Sequence, residues 1–167
     1  MSGNKKINKL DCSKRTSEGN FKQYAKEARS SNNAFLDKLA LSENSGDTQA
    51  EITVQDSRKF VGKYQFGAAR LADYKVASKE RFSMSDFKQD PALQERVVRW
   101  HIADIDQALD ALGDNASEYS RDGLRAVAHL GGKAGMKKFV QSKGEYNPSD
   151  ELGTSLQEYY EKFSSTT

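Results

Sequence analysis

The sequence predicts a mainly α-helical domain with at most a small β-hairpin. Apolar residues recur at spacings of three and four over most of the chain, which is typical of amphipathic helices around a core. Helix start signals, most clearly Asp90-Pro91, and stops at glycine separate these stretches. The short β-favouring run Ile52-Thr53-Val54 and the pair Phe60-Val61 lie on either side of a turn-prone Asp56-Ser57, so we expect one hairpin there. With 167 residues the chain can bury the core of one domain.

The first helix of this domain is expected to start at Asn32-Asn33, which are good N-cap residues, and to end before Gly46. Glu43 continues its apolar stripe. Because burial disfavours the charged form of a carboxylic acid, its pKa is expected to rise above about 4.3, towards the range of a general acid. The alternative is a glutamate at a helix end with its carboxylate in water. The stripe consists of Phe35, Leu36, Leu39 and Ala40.

The segment Gly62-Lys63-Tyr64-Gln65-Phe66-Gly67 follows the hairpin and opens the next helix. Glycine lets a backbone approach a ligand closely, and aromatic rings can stack on the faces of sugars. A glutamine amide can donate to and accept from an acetamido group. The segment therefore has the composition of a sugar-binding loop.

The remaining helices are predicted at residues 67–79, 91–112, 120–131 and 133–141, with a last helix capped by Ser149 or Asp150. The helix at 91–112 has the broadest apolar stripe and is expected to be the centre of the core. Its stripe is Leu93, Val97, Val98, Ile102, Ile105, Leu109 and Leu112. The last helix is expected to carry Leu152, Leu156, Tyr159, Tyr160 and Phe163, and helix 67–79 to offer Ala69, Leu71, Ala72 and Val76 for burial.

Residues 82–90 are predicted to be a loop whose Phe82, Met84 and Phe87 fill the core rather than contact sugar. Trp100 has two interpretations: it lines a saccharide cleft, or it packs in the core, which is commoner for an aromatic residue at helical spacing.

The domain is expected to span residues 32–163, with a polar, partly flexible arm at 1–31 and a frayed tail at 164–167. Glu18 in the arm also follows a serine, as Glu43 does. No apolar stripe leads into it, so it is rejected as the catalytic acid. The single cysteine, Cys12, can form no internal disulfide.

The charge balance argues against nucleic acid as a partner, because 26 basic and 24 acidic residues leave a formal charge of only +2. The chain has no apolar run long enough for a membrane span and no signal peptide. We therefore expect synthesis in the cytoplasm and transport by other means. Two histidines more than twenty residues apart make a weak case for a metal, and no cofactor is expected.

Two motifs carry a family resemblance. The sequences AFLDKLALSE (Ala34 to Glu43) and GKYQF (Gly62 to Phe66) resemble the lysozyme-fold lytic transglycosylases, in particular the lambdoid phage endolysin type. The second motif is also similar to muramidase domains of phage tail proteins and secreted antibacterial effectors. The resemblance implies a lysozyme-like fold of the goose-type or soluble-transglycosylase kind. It extends more weakly along the chain to Phe163.

The resemblance also implies site residues. Glu43 takes the position of the catalytic acid. Substrate-binding positions fall on Ser45, Tyr64, Gln65, Phe66, His129 and Tyr160. Many soluble transglycosylases place serine directly after the glutamate, whereas here Asn44 intervenes before Ser45.

The implied reaction is cleavage of the β-1,4 bond between N-acetylmuramic acid and N-acetylglucosamine in peptidoglycan. A lytic transglycosylase needs only Glu43, while a hydrolytic muramidase usually needs a second carboxylate, for which Asp47, Glu51 and Asp56 are available. A non-catalytic wall-binding module is the third possibility. We expect a monomer, with an immunity or delivery protein as an additional partner, acting after phage lysis, virion delivery or injection by a secretion system.

Overall fold

The computed structural model describes residues 33–54 and 57–164. The chain forms two compact units, Met1–Leu36, of which residues 33–36 are described, and Asp37–Thr167. The predicted arm at 1–31, with Cys12 and Glu18, lies outside the described residues, as do Asp56 and positions 165–167. Within the described part, no helix is both long and apolar enough to cross a membrane.

The architecture is mainly α-helical, which confirms the predicted class at this level. Residues 33–44 are helical (α1), and the four stripe residues are all buried. The later helices are α2 (Ala68–Ser78), α3 (Met84–Lys88), α4 (Pro91–Leu112), α5 (Arg121–Gln141) and α6 (Leu156–Ser164), with a 3₁₀ turn at Gly113–Ala116.

The β-structure is larger than the predicted hairpin. The strands β1 (Glu51–Thr53) and β2 (Lys59–Val61) pair antiparallel where the hairpin was expected, with Ile52 opposite Phe60. A third strand, β3 (Phe66–Gly67), joins β2 antiparallel, so the sheet has the order β1-β2-β3. This strand was missed because two residues are too few to show an alternating pattern.

α4 spans the predicted residues and contacts α2, α3, α5 and the 3₁₀ turn. Asp90 caps it by accepting from the backbone N–H of Leu93 at 3.0 Å, and Pro91 occupies the first turn. Every residue of its predicted stripe is buried except Leu112, which is partly exposed. The buried face also carries two polar residues, Gln94 and His101.

α5 packs closely on α6. A Cβ added at Gly123 would lie 2.6 Å from the Tyr160 ring, and one at Gly131 would lie 2.8 Å from Leu156. The predicted break between helices 120–131 and 133–141 is found inside α5 as a kink at Gly132, where φ is 79° and ψ is 167°.

Several boundaries and burials differ from the predictions. The predicted loop at 82–90 contains α3, which begins with a capping box between Ser83 and Asp86. α6 begins at Leu156, because Ser149 and Ser155 form a β-bridge and hold residues 149–155 in a loop. Leu152 is consequently 71% exposed rather than packed.

Burial also differs among the apolar side chains of α2 and α3. In α2 Tyr74 is buried, while Ala69, Ala72 and Val76 are exposed. In the α3 region Phe87 is fully buried, whereas Phe82 and Met84 are partly exposed. Trp100 is partly exposed beneath the Arg70 guanidinium, whose carbon lies 4.2 Å from the ring centroid, and it does not line the cleft described below.

Candidate active site

A cleft of about 630 Å³ opens between the sheet, the end of α1, the kinked region of α5, and α6 with its preceding loop. It lies wholly within the unit Asp37–Thr167. Its lining mixes acids, bases, neutral polar groups and apolar side chains. The acids are Glu43, Asp150, Glu151 and Glu158, the bases Arg58 and Lys162, the other polar residues Ser42, Gln65, His129 and Thr154, and the apolar or aromatic residues Ile52, Val54, Phe60, Leu130, Leu152 and Tyr159.

Glu43 projects into this cleft from the last turn of α1. Its side chain is only 16% exposed. The pKa of Glu43 is raised to about 7, mainly by burial and then by the negative charge of Asp150, while the positive charge of Lys162 acts in the opposite direction. The acid is therefore partly protonated near neutral pH, as a general acid must be.

Asn44, which interrupts the Glu-Ser order of the resembled enzymes, fixes the end of α1. Its side-chain amide donates to the carbonyl oxygen of Gly62 at 2.6 Å, and its side-chain oxygen accepts from the Gly46 N–H at 3.0 Å. The residue thereby joins the acid-bearing helix to the 62–67 turn. Ser45 follows in a left-handed conformation (φ 62°), is exposed, and does not line the cleft, so the structure does not place it as a substrate-binding residue.

The side chain of Gln94 in α4 holds the 62–67 turn in place through hydrogen bonds. The Gln94 side-chain oxygen accepts from the Lys63 N–H at 2.8 Å, and its amide donates to the carbonyl oxygens of Thr48 and Phe87. A Cβ at Gly62, where φ is 87°, would lie 2.9 Å from that oxygen, so the close approach requires glycine. These contacts fix the position of the turn relative to α4.

Two neighbouring residues of this turn point to opposite sides. Gln65 lines the cleft: its Nε2 donates to the Gly62 carbonyl oxygen at 3.0 Å, while its buried Oε1 has no partner among the described residues. Tyr64 is 1% exposed, and its hydroxyl lies 3.0 and 3.1 Å from the two carboxylate oxygens of Glu95. Burial and Glu95 raise the pKa of Tyr64. The structure thus supports the predicted cleft position for Gln65 and corrects it for Tyr64.

Phe66 also lies behind the cleft rather than in its lining. Its ring makes edge contacts with the rings of His101 and His129, at centroid distances of 5.0 and 5.8 Å. His129 does line the cleft, as predicted, and its Nε2 lies 4.0 Å from Glu43 Oε1.

Tyr160 was expected in the cleft, but its neighbour Tyr159 is there instead. The Tyr160 hydroxyl accepts from the Ser120 N–H at 2.8 Å, so the ring lies against the start of α5. The Ser42 hydroxyl is 3.3 Å from the Tyr159 hydroxyl, and Lys162 donates to Ser42 at 2.7 Å. Tyr159 and Tyr160 are consecutive residues of α6, so they point in different directions around the helix axis. The sequence alone does not determine which of the two faces the cleft.

Two of the three acids predicted as second carboxylates, Asp47 and Glu51, lie outside the cleft that contains Glu43. Asp47 is exposed and accepts from the Gln49 N–H at 2.8 Å, and Glu51 lies near Lys59 and Lys88 at 3.8 and 3.6 Å. Asp56, the third, is outside the described residues.

Two acids that were not predicted as site residues, Asp150 and Glu151, line the cleft. Asp150 accepts from the backbone N–H groups of Leu152 and Thr154 at 3.0 and 2.8 Å, which shapes the loop before α6. Glu151 forms an ion pair with Arg58 from the β1–β2 connection. The Asp-x-x-Gly-Thr sequence at 150–154 signals a turn, but its approach to Glu43 depends on tertiary packing.

In the described part of the chain, no group of three or more histidine, cysteine or acidic side chains is arranged to hold a metal ion. No family model matches the chain, and no curated protein and no solved structure was found to be similar to it.

Proposed function

We propose that the protein cleaves the glycan strand of peptidoglycan as a lytic transglycosylase of lysozyme-like fold, with Glu43 as its single general acid and base. The observation that carries the proposal is the position of Glu43, a desolvated acid with a pKa of about 7 in the wall of a large polar cleft. The paired motifs that resemble such enzymes meet at this cleft, where Asn44 ties the Glu43 helix to the Gly62 carbonyl oxygen.

Protonated Glu43 gives its proton to the glycosidic oxygen as the bond from that oxygen to C1 of N-acetylmuramic acid breaks. Positive charge develops on the sugar ring, as in other glycosidases. The Glu43 carboxylate then takes the proton of the sugar's own 6-hydroxyl, whose oxygen bonds to C1 and closes a 1,6-anhydro ring. Glu43 regains its proton, and no water is consumed.

The cleft also offers a group for substrate recognition. Gln65 Oε1 is buried and has no partner in the described residues, which is unfavourable unless a ligand supplies a donor. An acetamido N–H of the sugar is such a donor, as expected for the substrate of this reaction class.

A hydrolytic muramidase is the alternative, and Asp150 is the observation that favours it. Asp150 lines the cleft and its charge acts on the Glu43 carboxyl, so it is better placed than Asp47 or Glu51 to direct a water. Its two backbone hydrogen bonds give it a structural task as well. We favour the transglycosylase because that reaction needs no second acid.

The test is mass spectrometry of the sugars released from purified peptidoglycan. A transglycosylase gives 1,6-anhydro ends, lighter by one water than the reducing ends that a hydrolase leaves and resistant to borohydride. Reducing ends together with an inactive Asp150→Asn variant would identify a muramidase. Sedimentation with peptidoglycan without any released sugar would identify a wall-binding module.

A further inference from the structure

A row of polar side chains runs from Arg70 of α2 through two buried imidazoles, His101 and His129, to Glu43. Arg70 Nε lies 2.9 Å from His101 Nδ1, and His101 Nε2 lies 3.0 Å from His129 Nδ1. The row ends at His129 Nε2, which is 4.0 Å from Glu43 Oε1. The proposed reaction gives these two histidines no task.

The far end of the row is anchored by charge. Arg70 Nη2 lies 2.6 Å from Asp104 Oδ2, and Lys133 Nζ lies 2.8 Å from the same oxygen. The Arg70 guanidinium is also held over the Trp100 ring. Arg70 therefore has a fixed position from which its Nε faces His101.

The direction of every hydrogen bond in the row follows from Arg70. A guanidinium can only donate, so Nδ1 of His101 must carry no proton and accept. The proton of neutral His101 is then on Nε2 and is donated to Nδ1 of His129. The proton of neutral His129 must in turn be on Nε2, the nitrogen that faces Glu43.

Both imidazoles stay neutral over the working range of Glu43. The pKa of His129 is lowered to about 4, mainly by burial and also by the charge of Arg70, while a hydrogen bond from the ring to the Tyr64 backbone carbonyl opposes this shift. Burial, His129, Arg70 and Lys133 hold the pKa of His101 well below its ordinary value. His129 therefore remains a hydrogen-bond donor that does not compete with Glu43 as an acid.

We propose that His129 is a positioning residue for Glu43: Arg70 and His101 fix it in the neutral tautomer that presents Nε2–H to the Glu43 carboxylate. A separation of 4.0 Å is longer than a hydrogen bond, and the Tyr64 backbone carbonyl is the present acceptor for the ring. We expect Nε2–H to turn to Glu43 when Glu43 loses its proton, because a charged carboxylate is the stronger acceptor. Asp150 and Lys162 are the other charged groups that act on Glu43. The role in catalysis rests on the proposed function, but the arrangement of protons does not.

The first test is NMR of the free protein, with ¹⁵N-labelled histidine and ¹³C-labelled glutamate carboxyl groups. The inference requires both histidines to be neutral Nε2–H tautomers from about pH 5.5 to 8. A His129 that carries its proton on Nδ1, or that titrates near the unperturbed value of about 6.5, would overturn it.

The second test breaks the row without removing Arg70. In His101→Phe, an apolar ring replaces the donor to His129, which becomes free to adopt either tautomer. We expect the Nδ1–H form to appear on His129 and the pKa of Glu43 to rise by roughly half a unit or more. Tyr74→Phe is the matched control, because it removes a different, partly buried hydrogen bond, to Glu80 at 2.6 Å, and should leave the Glu43 titration unchanged. An unchanged Glu43 titration in a folded His101→Phe protein would overturn the inference.

The third test connects the arrangement to the reaction. The alkaline limb of the pH profile of kcat/KM should move to higher pH in His101→Phe by the amount that NMR gives for Glu43, and Arg70→Lys, which keeps a cationic donor, should move it less than Arg70→Met. A limb that does not follow the Glu43 titration would contradict the positioning role. If no variant, including the wild type, cleaves peptidoglycan, the proposed function fails while the NMR tests still decide whether His129 is fixed by the row.

Discussion

Glu43 and Glu51 lie close together in the sequence but in very different surroundings. Glu43 ends a buried helical stripe, is 16% exposed, and has its pKa raised to about 7, mainly by burial. Glu51 lies on the edge strand β1, is 36% exposed, and has Lys59 and Lys88 within 4 Å. The comparison shows that the candidate chemistry comes from desolvation at the end of α1, because the same residue type on the following strand is an ordinary surface ion-pair partner.

The largest expected difference between the two glutamates is in activity. Glu43→Gln keeps the size of the side chain and removes its proton, so we expect peptidoglycan cleavage to fall by at least about a thousandfold, or roughly 4 kcal/mol of transition-state stabilisation. Glu51→Gln is the matched control and should stay within about twofold of wild type. Turbidity of purified cell walls measures both. Near-normal cleavage by Glu43→Gln would remove this residue from the reaction and direct attention to Asp150.

The contrast between these acids was partly visible in the sequence. The stripe from Phe35 to Ala40 predicts that Glu43 is buried, because helical spacing fixes which residues share a face. α4 was predicted correctly for the same reason, since its long apolar stripe and Asp90-Pro91 cap are local signals. Such features are set by residues a few positions apart.

The parts that were missed depend on contacts between distant segments. The opposite directions of Tyr64 and Gln65 follow from a turn with positive φ at Gly62 and Gln65, which the letters GKYQFG do not specify. The placement of Asp150 near Glu43, and of His101 against His129, requires α4, α5 and the loop before α6 to be assembled. α3 was missed although Ser83 and Asp86 are a local signal, because an aspartate rather than a glutamate completes its capping box.

A second and smaller difference is expected in the pH dependence of stability. The folded-state pKa of Glu43 is raised from 4.5 to about 7, so its contribution is fully favourable below about pH 4.5 and is lost as the pH rises through 7. Glu43→Gln should therefore match wild type near pH 4 and be more stable at pH 8, by up to about 3 kcal/mol. Urea unfolding at the two pH values measures this difference.

Glu51→Gln again provides the comparison. It weakens only exposed ion pairs, so we expect its unfolding free energy to lie within about 1 kcal/mol of wild type at both pH values. If Glu43→Gln showed no gain at pH 8, Glu43 would be ionised in the folded protein without a penalty, and the argument for a desolvated acid would be lost.

The smallest expected effect concerns two neighbouring residues of the 62–67 turn, Gln65, which faces the cleft, and Tyr64, which is buried. Gln65→Met removes an amide whose Oε1 is buried without a partner among the described residues, so stability should change little, since the lost bond to Gly62 is offset by the removal of an unsatisfied oxygen. Cleavage should fall about tenfold in kcat/KM, or roughly 1.4 kcal/mol, if this oxygen accepts from an acetamido group.

Tyr64→Phe should show the reverse pattern. It removes the hydroxyl that contacts both oxygens of Glu95, and we expect a loss of about 1–2 kcal/mol in the free energy of unfolding with kcat/KM close to wild type for the folded protein. Kinetics on cell walls and urea unfolding, applied to both variants, measure the two effects separately. A Tyr64→Phe enzyme that loses activity without losing stability would indicate that Tyr64 contacts the substrate. A Gln65→Met enzyme with normal kinetics would indicate that the turn only supports the structure around Glu43 and His129.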